Sequence, residues 1–294
     1  MAVVANTIMT TDLTEAQIRE IDFVEKFNYS VAKLTEALGI TRKIPKQAGT
    51  TLKTYKATGT LQSGAVDEGE VIPLSKYKIV PKTYKEITLK KWRKATTAEA
   101  ITTYGFNQAV NMTTEEMLRD VQRGIRADFF TFMQTGSTKI TGVNLKKVLA
   151  SSMGKLLVLF DTDEVATVHF INPVTVYDFL GDQEITTQTA FGMQYIENFL
   201  GYGKVFMNAS VPEGKILSTV EENLVLYYIA TNGADLGEAF SFTSDDTGYI
   251  GIHETPDYDN LTCKDTVVSG IELFAEKLDG VLVGTIEVAT PAGA

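Results

Sequence analysis

GTTLKTYKATGTLQSGAVDEGEVIPLSKYKIVPK, from Gly49 to Lys82, reads as two limbs of alternating character joined by a polar, Gly- and Ser-rich tip. Leu52, Thr54 and Tyr55 mark the rising limb, and Val71, Ile72, Leu74, Tyr77, Ile79 and Val80 mark the returning one. Runs of this kind predict a β-hairpin. The tip, Thr60 to Glu70, holds too few apolar residues to join a core. A two-stranded ribbon alone is marginally stable in water. Limbs of about 15 residues would reach ~50 Å at the usual strand rise. A ribbon that long and that polar needs a neighbour to lie on, which predicts an assembly.

The chain has 294 residues, enough for one large domain or two. With 44% hydrophobic and 22% charged residues its composition is that of a globular protein, which argues against general disorder. No apolar run reaches membrane-spanning length, Leu156 to Phe160 being far too short. The start, MAVVANTIMTTDLTEAQ, lacks the basic region and apolar stretch of a signal peptide. Cys263 is the single cysteine, so an intramolecular disulfide framework is excluded. The net charge of -10 argues against a chain that grips nucleic acid across its surface. The basic residues between Lys82 and Lys94 read as a solvated strand and turn.

Residues 1–11 read as irregular. From Asp12, Ile18, Ile21, Val24, Phe27, Val31, Leu34 and Leu38 recur at helical spacing up to Gly39. This helix suits packing on its own domain and on a neighbour equally. Beyond the ribbon, Tyr84, Ile87, Leu89 and Trp92 suggest a continuing strand. Thr96 with Glu99, and Thr113 with Glu116, have the spacing of capping boxes, in which a hydroxyl and a carboxylate satisfy free helix-end amides. The second opens the strongest helix, over 113–135, with Met117, Leu118, Val121, Ile125, Phe129, Phe132 and Met133 on its apolar face and Gly136 as the terminating residue. At ~20 residues it spans about 30 Å, a structural spine.

The remainder alternates between helix and strand. Leu145 to Met153 reads as a short helix and Leu156 to Phe160 as a strand. TVHFI, Thr167 to Ile171, reads as a buried strand running into Asn172-Pro173, which starts a helix through Leu180. Further strands are expected at Lys204–Asn208, Leu224–Thr231, Tyr249–Glu254, Thr266–Ala275 and Leu278–Glu287.

Residues of the types that carry chemistry are few. Asp161, Asp163 and Glu164 lack the glycine and distal glutamate of a calcium loop, and read as a solvated turn, as do Asp257, Asp259 and Asp265. His169 and His253 have no second histidine or cysteine at ligand spacing, and His169 reads as a core or interface residue. Cys263 has no basic partner nearby in sequence. Gly201-Tyr202-Gly203 and Gly248-Tyr249-Ile250-Gly251 lack a full dinucleotide fingerprint and read as turns. No catalytic residue, cofactor or metal ligand emerges, and no enzyme class.

What remains is an order of parts. Glu68-Gly69-Glu70-Val71-Ile72-Pro73-Leu74-Ser75-Lys76 lies on the returning limb, followed by Ile87-Thr88-Leu89-Lys90-Lys91-Trp92-Arg93 and Thr97-Ala98-Glu99-Ala100. The spine helix comes next, then Ile171-Asn172-Pro173, and late in the chain Ile271-Glu272-Leu273-Phe274-Ala275-Glu276 to Ile286. Together, over most of the chain beyond about the first forty residues, they resemble the major capsid proteins of tailed bacteriophages, the Hong Kong 97-like fold. The resemblance implies an α+β fold with residues 1–45 as an N-terminal arm and 46–82 as an extended β-hairpin loop. It implies a peripheral domain from 83–144 and 251–277 and an axial α/β domain from 145–250 and 278–290.

The function it implies is self-assembly, as hexamers and pentamers, into an icosahedral shell in the virion that encloses double-stranded DNA without sequence-specific binding. Assembly would take place in the host bacterial cytoplasm, with a portal protein and no membrane. If Met1 is the encoded start, the resemblance implies a separate scaffolding protein. Some family members weld subunits by a lysine–asparagine isopeptide bond; here Lys53, Lys56, Lys76 and Lys78 are on the ribbon and Asn260 is in the late segment, and non-covalent contact is the default. Glu68, Glu70, Lys76 and Lys78 are the expected charged contacts with a neighbour. The acidic balance suits a shell that leaves packaged DNA free to move. The alternatives are an encapsulin-like shell around enzyme cargo and an unrelated α/β enzyme.

Overall fold

The computed structural model describes residues 15–161, 165–181 and 186–287. Helix α1 (Glu15–Ala37) turns Phe23, Val24, Phe27, Val31 and Leu34 into the core. Ile18, expected on that stripe, is exposed, and Phe23 takes the inward place. The helix packs on its own chain, against α3 and two later strands. Strand β1 (Lys43–Pro45) leads to the ribbon strands β2 (Thr51–Thr60) and β3 (Lys76–Glu86), then β4 (Lys90–Thr97). The continuing strand expected through Tyr84 and Trp92 is therefore two strands, broken around buried Ile87.

Helix α2 (Ala98–Tyr104) is capped by Thr97, whose side chain accepts from the Ala100 amide. The expected cap, Thr96, is instead buried and donates to the Ala109 carbonyl. The second expected box also gives way. A π-helical turn, Asn107–Asn111, runs straight into α3 (Met112–Met133), so no free amides await a cap. Thr113 donates its hydroxyl back to the Val110 carbonyl. The far end of α3 follows the expectation to within about two residues. Gly136 is needed for close approach: a Cβ there would lie 2.5 Å from the Val281 carbonyl oxygen.

Strand β5 (Thr138–Gly142) precedes α4 (Leu145–Phe160), one unbroken helix with Asn144 as its cap. The strand expected at Leu156–Phe160 is its last turns, because Leu145, Val148, Leu149, Ser152 and Leu156 line one buried face. Then come β6 (Thr167–Ile171), α5 (Pro173–Leu180) with Pro173 in its first turn, β7 (Gln188–Ala190), β8 (Met193–Ile196), β9 (Lys204–Met207), β10 (Lys215–Val220) and β11 (Leu224–Tyr228). Helix α6 (Ala234–Ala239) is followed by β12 (Ile250–Asp257), β13 (Thr262–Ser269), β14 (Glu272–Ala275) and β15 (Leu282–Ile286). The single strand expected over Thr266–Ala275 is thus two, and that over Leu278–Glu287 begins with a 3-10 turn.

The body is built on a seven-stranded mixed sheet ordered β5-β15-β10-β6-β9-β8-β7. Val168, Phe170, Phe206 and Leu217 face α1 and α3 on one side, while Ile171, Val205 and Ile216 face α4 and α5 on the other. Burial on both faces explains why TVHFI is a nearly continuous apolar run. The core centre is aromatic, with Phe170 meeting Phe129 and Phe130 at 5.3 Å between ring centroids. Two further sheets, β12-β13-β4 and β1-β11-β14, flank α3. Sheet membership crosses the segment boundaries drawn from the resemblance: β5, from 83–144, edges the large sheet, and β11, from 145–250, pairs with β14. Among the described residues no helix is long and apolar enough to cross a membrane.

Candidate assembly surfaces

The ribbon pairs antiparallel from Thr51 opposite Glu86 to Thr60 opposite Lys76. A register shift between Leu52 and Lys53 places a bulge at its root, which bends and twists the pair where it leaves the body. Buried Leu52 and Ile87 anchor that root. The returning limb is shorter than the sequence suggests, since Val71, Ile72 and Leu74 lie in the loop 61–75 rather than in β3. Pro73 has no amide to give to a ladder, and the alternation around it never becomes a strand. Within that loop the Glu70 amide donates to the Asp67 carbonyl, and the Gln62 amide to Ser75 Oγ.

Val71 is 92% exposed and Leu74 94%, and Leu61, Ile72, Tyr77, Ile79 and Val80 are exposed as well. Full burial of a Val, Leu or Ile side chain is worth about 1.5–3 kcal/mol. Leaving a whole arm of them in water marks a surface made to be covered. Glu68 and Glu70 stand on the loop and Lys76 and Lys78 on the first residues of β3, all exposed. None of the four makes an ion pair among the described residues. The structure spreads them along the arm and does not gather them into a site. Asn260, in the turn between β12 and β13, is exposed, and its Oδ1 accepts from the Thr262 hydroxyl.

A second surface escaped the sequence reading. β4, α2 and the head of α3 bound an open cleft of about 840 Å³, lined by Ala100, Tyr104, Gln108, Met112, Glu116 and Arg119. Tyr104 and Met112 are exposed on its lining. The signal available was that these two sit off the α3 stripe. Val174, Tyr177 and Phe179 of α5 are exposed as well, and so is Leu200, which is held in a left-handed turn at φ 53°. Gly203 closes that turn at φ 100°, and a Cβ on it would lie 2.3 Å from Thr167 Oγ1.

The residues singled out for chemistry have structural partners. His169 is fully buried on β6, its Nε2 donating to the Tyr202 carbonyl at 2.8 Å and its Nδ1 accepting from Ser218 Oγ at 2.7 Å. Burial pushes its pKa down to about 4, so it is neutral at pH 7. His253 is half-buried, with Nδ1 3.8 Å from Glu20 Oε1. Cys263 Sγ donates to Glu254 Oε1 at 3.2 Å, and burial with that carboxylate pushes the thiol up to about 12. A thiol so held is not a nucleophile at neutral pH.

Asp257 pairs with Lys264, whose hydrogen bond holds the carboxyl below its ordinary range. Asp265 is no turn residue; it is buried on β13 and paired with Lys94 at 2.9 Å. Lys94 is correspondingly internal, and Lys90 pairs with Asp128, so this end of the basic stretch is not simply solvated. Asp161 ends α4 in a left-handed conformation at φ 50°, while Asp163 and Glu164 lie outside the described residues. Gly201, Gly203 and Gly248 occupy turns as expected, but Gly251 lies within β12.

No protein-family model matches the sequence, and no curated protein matches it. Solved structures do. The chain is similar to the capsid asymmetric unit of cyanophage A-1(L), with TM-score 0.57 and 11% identity over 99% of this chain and 98% of that one. It is similar to the SrpI encapsulin of Synechococcus elongatus PCC 7942, with TM-score 0.51 and 11% identity over 99% and 95% of the two chains. The mature capsid of bacteriophage PhiM1 matches with TM-score 0.51 and 8% identity over 97% and 91%. The chain therefore has the mixed α+β fold of these phage capsids and encapsulins, the Hong Kong 97-like fold.

Proposed function

We propose that this chain is a non-enzymatic structural protein that assembles with its own copies into an icosahedral phage capsid. The observation that carries the reading is the ribbon: an arm of exposed apolar side chains on a chain whose fold is that of capsid shells. In this reading hexamers and pentamers of the chain enclose double-stranded DNA in the virion. Assembly takes place in the host bacterial cytoplasm, with a portal and a separate scaffolding protein. Residues 1–45 act as the arm and 46–82 as the extended loop. Residues 83–144 with 251–277 form the peripheral domain, and 145–250 with 278–290 the axial domain around the symmetry axes.

The ribbon lies across the peripheral domain of a neighbouring copy. Val71, Ile72 and Leu74 cover the cleft around Tyr104 and Met112, with Glu68, Glu70, Lys76 and Lys78 as charged contacts at the margin. Negative-stain microscopy of the expressed protein tests this reading. Closed shells are expected, and a small discrete oligomer would overturn it. The likeness to an encapsulin supports a second reading that differs only in cargo. Nuclease-protected DNA inside purified particles supports the phage capsid, whereas a co-purifying enzyme supports the cellular shell.

A further inference from the structure

Glu254, Cys263 and Asp265 share one face of the β12–β13 pair, with Glu254 directly opposite Asp265 and Cys263 two residues along the strand. One donor atom of each lies within 4.8 Å of the other two. Two further observations distinguish this cluster from an ordinary acidic patch. Asp265 is 2% exposed; its Oδ2 accepts from Lys94 Nζ and Thr114 Oγ1, both at 2.9 Å, yet its Oδ1 is buried with no hydrogen-bond partner among the described residues. A buried carboxylate oxygen left bare is costly, and calls for a positive partner. The second observation is the charge balance. Among the described residues three carboxylates, Glu20, Glu254 and Asp265, face two permanent cations, Arg19 on Glu254 and Lys94 on Asp265, with His253 beside Glu20.

We infer that Cys263 Sγ, Glu254 Oε1 and Asp265 Oδ1 form a binding site for a thiophilic divalent cation of the zinc class. Binding releases the thiol proton to water and leaves a thiolate and two carboxylate oxygens on the metal, with a fourth position for water. The thiolate and three carboxylates then balance the dication, Arg19 and Lys94. Sγ and Oε1 are 3.2 Å apart. Two donors on one tetrahedral zinc, at about 2.3 Å for sulfur and 2.0 Å for oxygen, stand roughly 3.5 Å apart. A sulfur donor selects against magnesium and calcium, which take oxygen ligands. Arg19 donates to both oxygens of Glu254, from Nη2 to Oε1 and from Nε to Oε2 at 3.1 Å; the metal takes Oε1 in place of Nη2, and Nε keeps Oε2.

Titration of the full chain with Co²⁺ tests the site. A thiolate-to-cobalt charge-transfer band that saturates at one ion per chain and is displaced by Zn²⁺ is expected. Cys263→Ser should abolish the band. Asp265→Asn should weaken affinity by about tenfold or more, in line with the usual sensitivity of metal sites. No band from the unaltered chain overturns the proposal without recourse to any variant, and so does a band that survives Cys263→Ser. The readout is independent of whether the chain forms shells.

Discussion

β6 and β3 are made from similar side chains and meet opposite fates. Val168, Phe170 and Ile171 are wholly buried, whereas Tyr77, Ile79 and Val80 are exposed. β6 has strand neighbours on both sides and helices over both faces; among the described residues β3 bonds only to β2. Residue type therefore does not decide burial here; position in the sheet does. The body covers its apolar side chains from within, and the ribbon leaves its own exposed.

The sharpest test of that contrast removes packing from the body. Phe170→Ala should destabilise the folded chain by about 3–5 kcal/mol in denaturant unfolding, because three other phenylalanine rings close on it. A pH titration reaches the same sheet. His169 has a folded pKa of about 4, below its unfolded value of 6.5, so only the unfolded chain gains a proton between these limits. Stability should be full above pH 6.5 and fall by about 3 kcal/mol as the pH drops towards 4. Unfolding curves at several pH values check this, and His169→Gln should flatten the dependence.

Gly203→Ala, at φ 100° and against the Thr167 side chain, should cost about 1–3 kcal/mol in thermal or denaturant unfolding. The ribbon should behave oppositely. Serine at Val71, Ile72 and Leu74 together should change monomer stability by less than about 0.5 kcal/mol, yet abolish shells by electron microscopy. Reversing Glu68 and Glu70 to Lys should also leave unfolding within about 0.5 kcal/mol and reduce the yield of closed particles. Normal shells from that double variant would remove both residues from the interface.

Much of the body was legible because periodicity and burial agree there. The α3 stripe and the TVHFI run leading into Asn172-Pro173 carry one message at every position. β10 was missed although it sits mid-sheet. Its Ser218 and Thr219 look like surface residues in a sequence, but they are buried with partners, His169 Nδ1 and the Gly280 carbonyl. The end of α4 failed for a related reason, since a short apolar run does not distinguish a buried strand from a buried helix turn. That the ribbon is an antiparallel hairpin could be read from its two alternating limbs. The cleft around Tyr104 and Met112 could not, because it depends on the π-helical turn that brings α2 against α3. The cluster of Cys263 and Asp265 with Glu254 is made by strand register, which no local motif records.

The position of β15 has a consequence for the order of events during synthesis. Among the described residues β5 has no strand neighbour except β15, the last strand described. Some 200 residues separate Glu86, the end of the ribbon, from Ile286, and at about 5–20 residues per second they take roughly 10–40 s to translate. The ribbon is therefore made well before the large sheet can close. Its exposed apolar side chains precede, in the order of synthesis, the strands that complete the body which carries them.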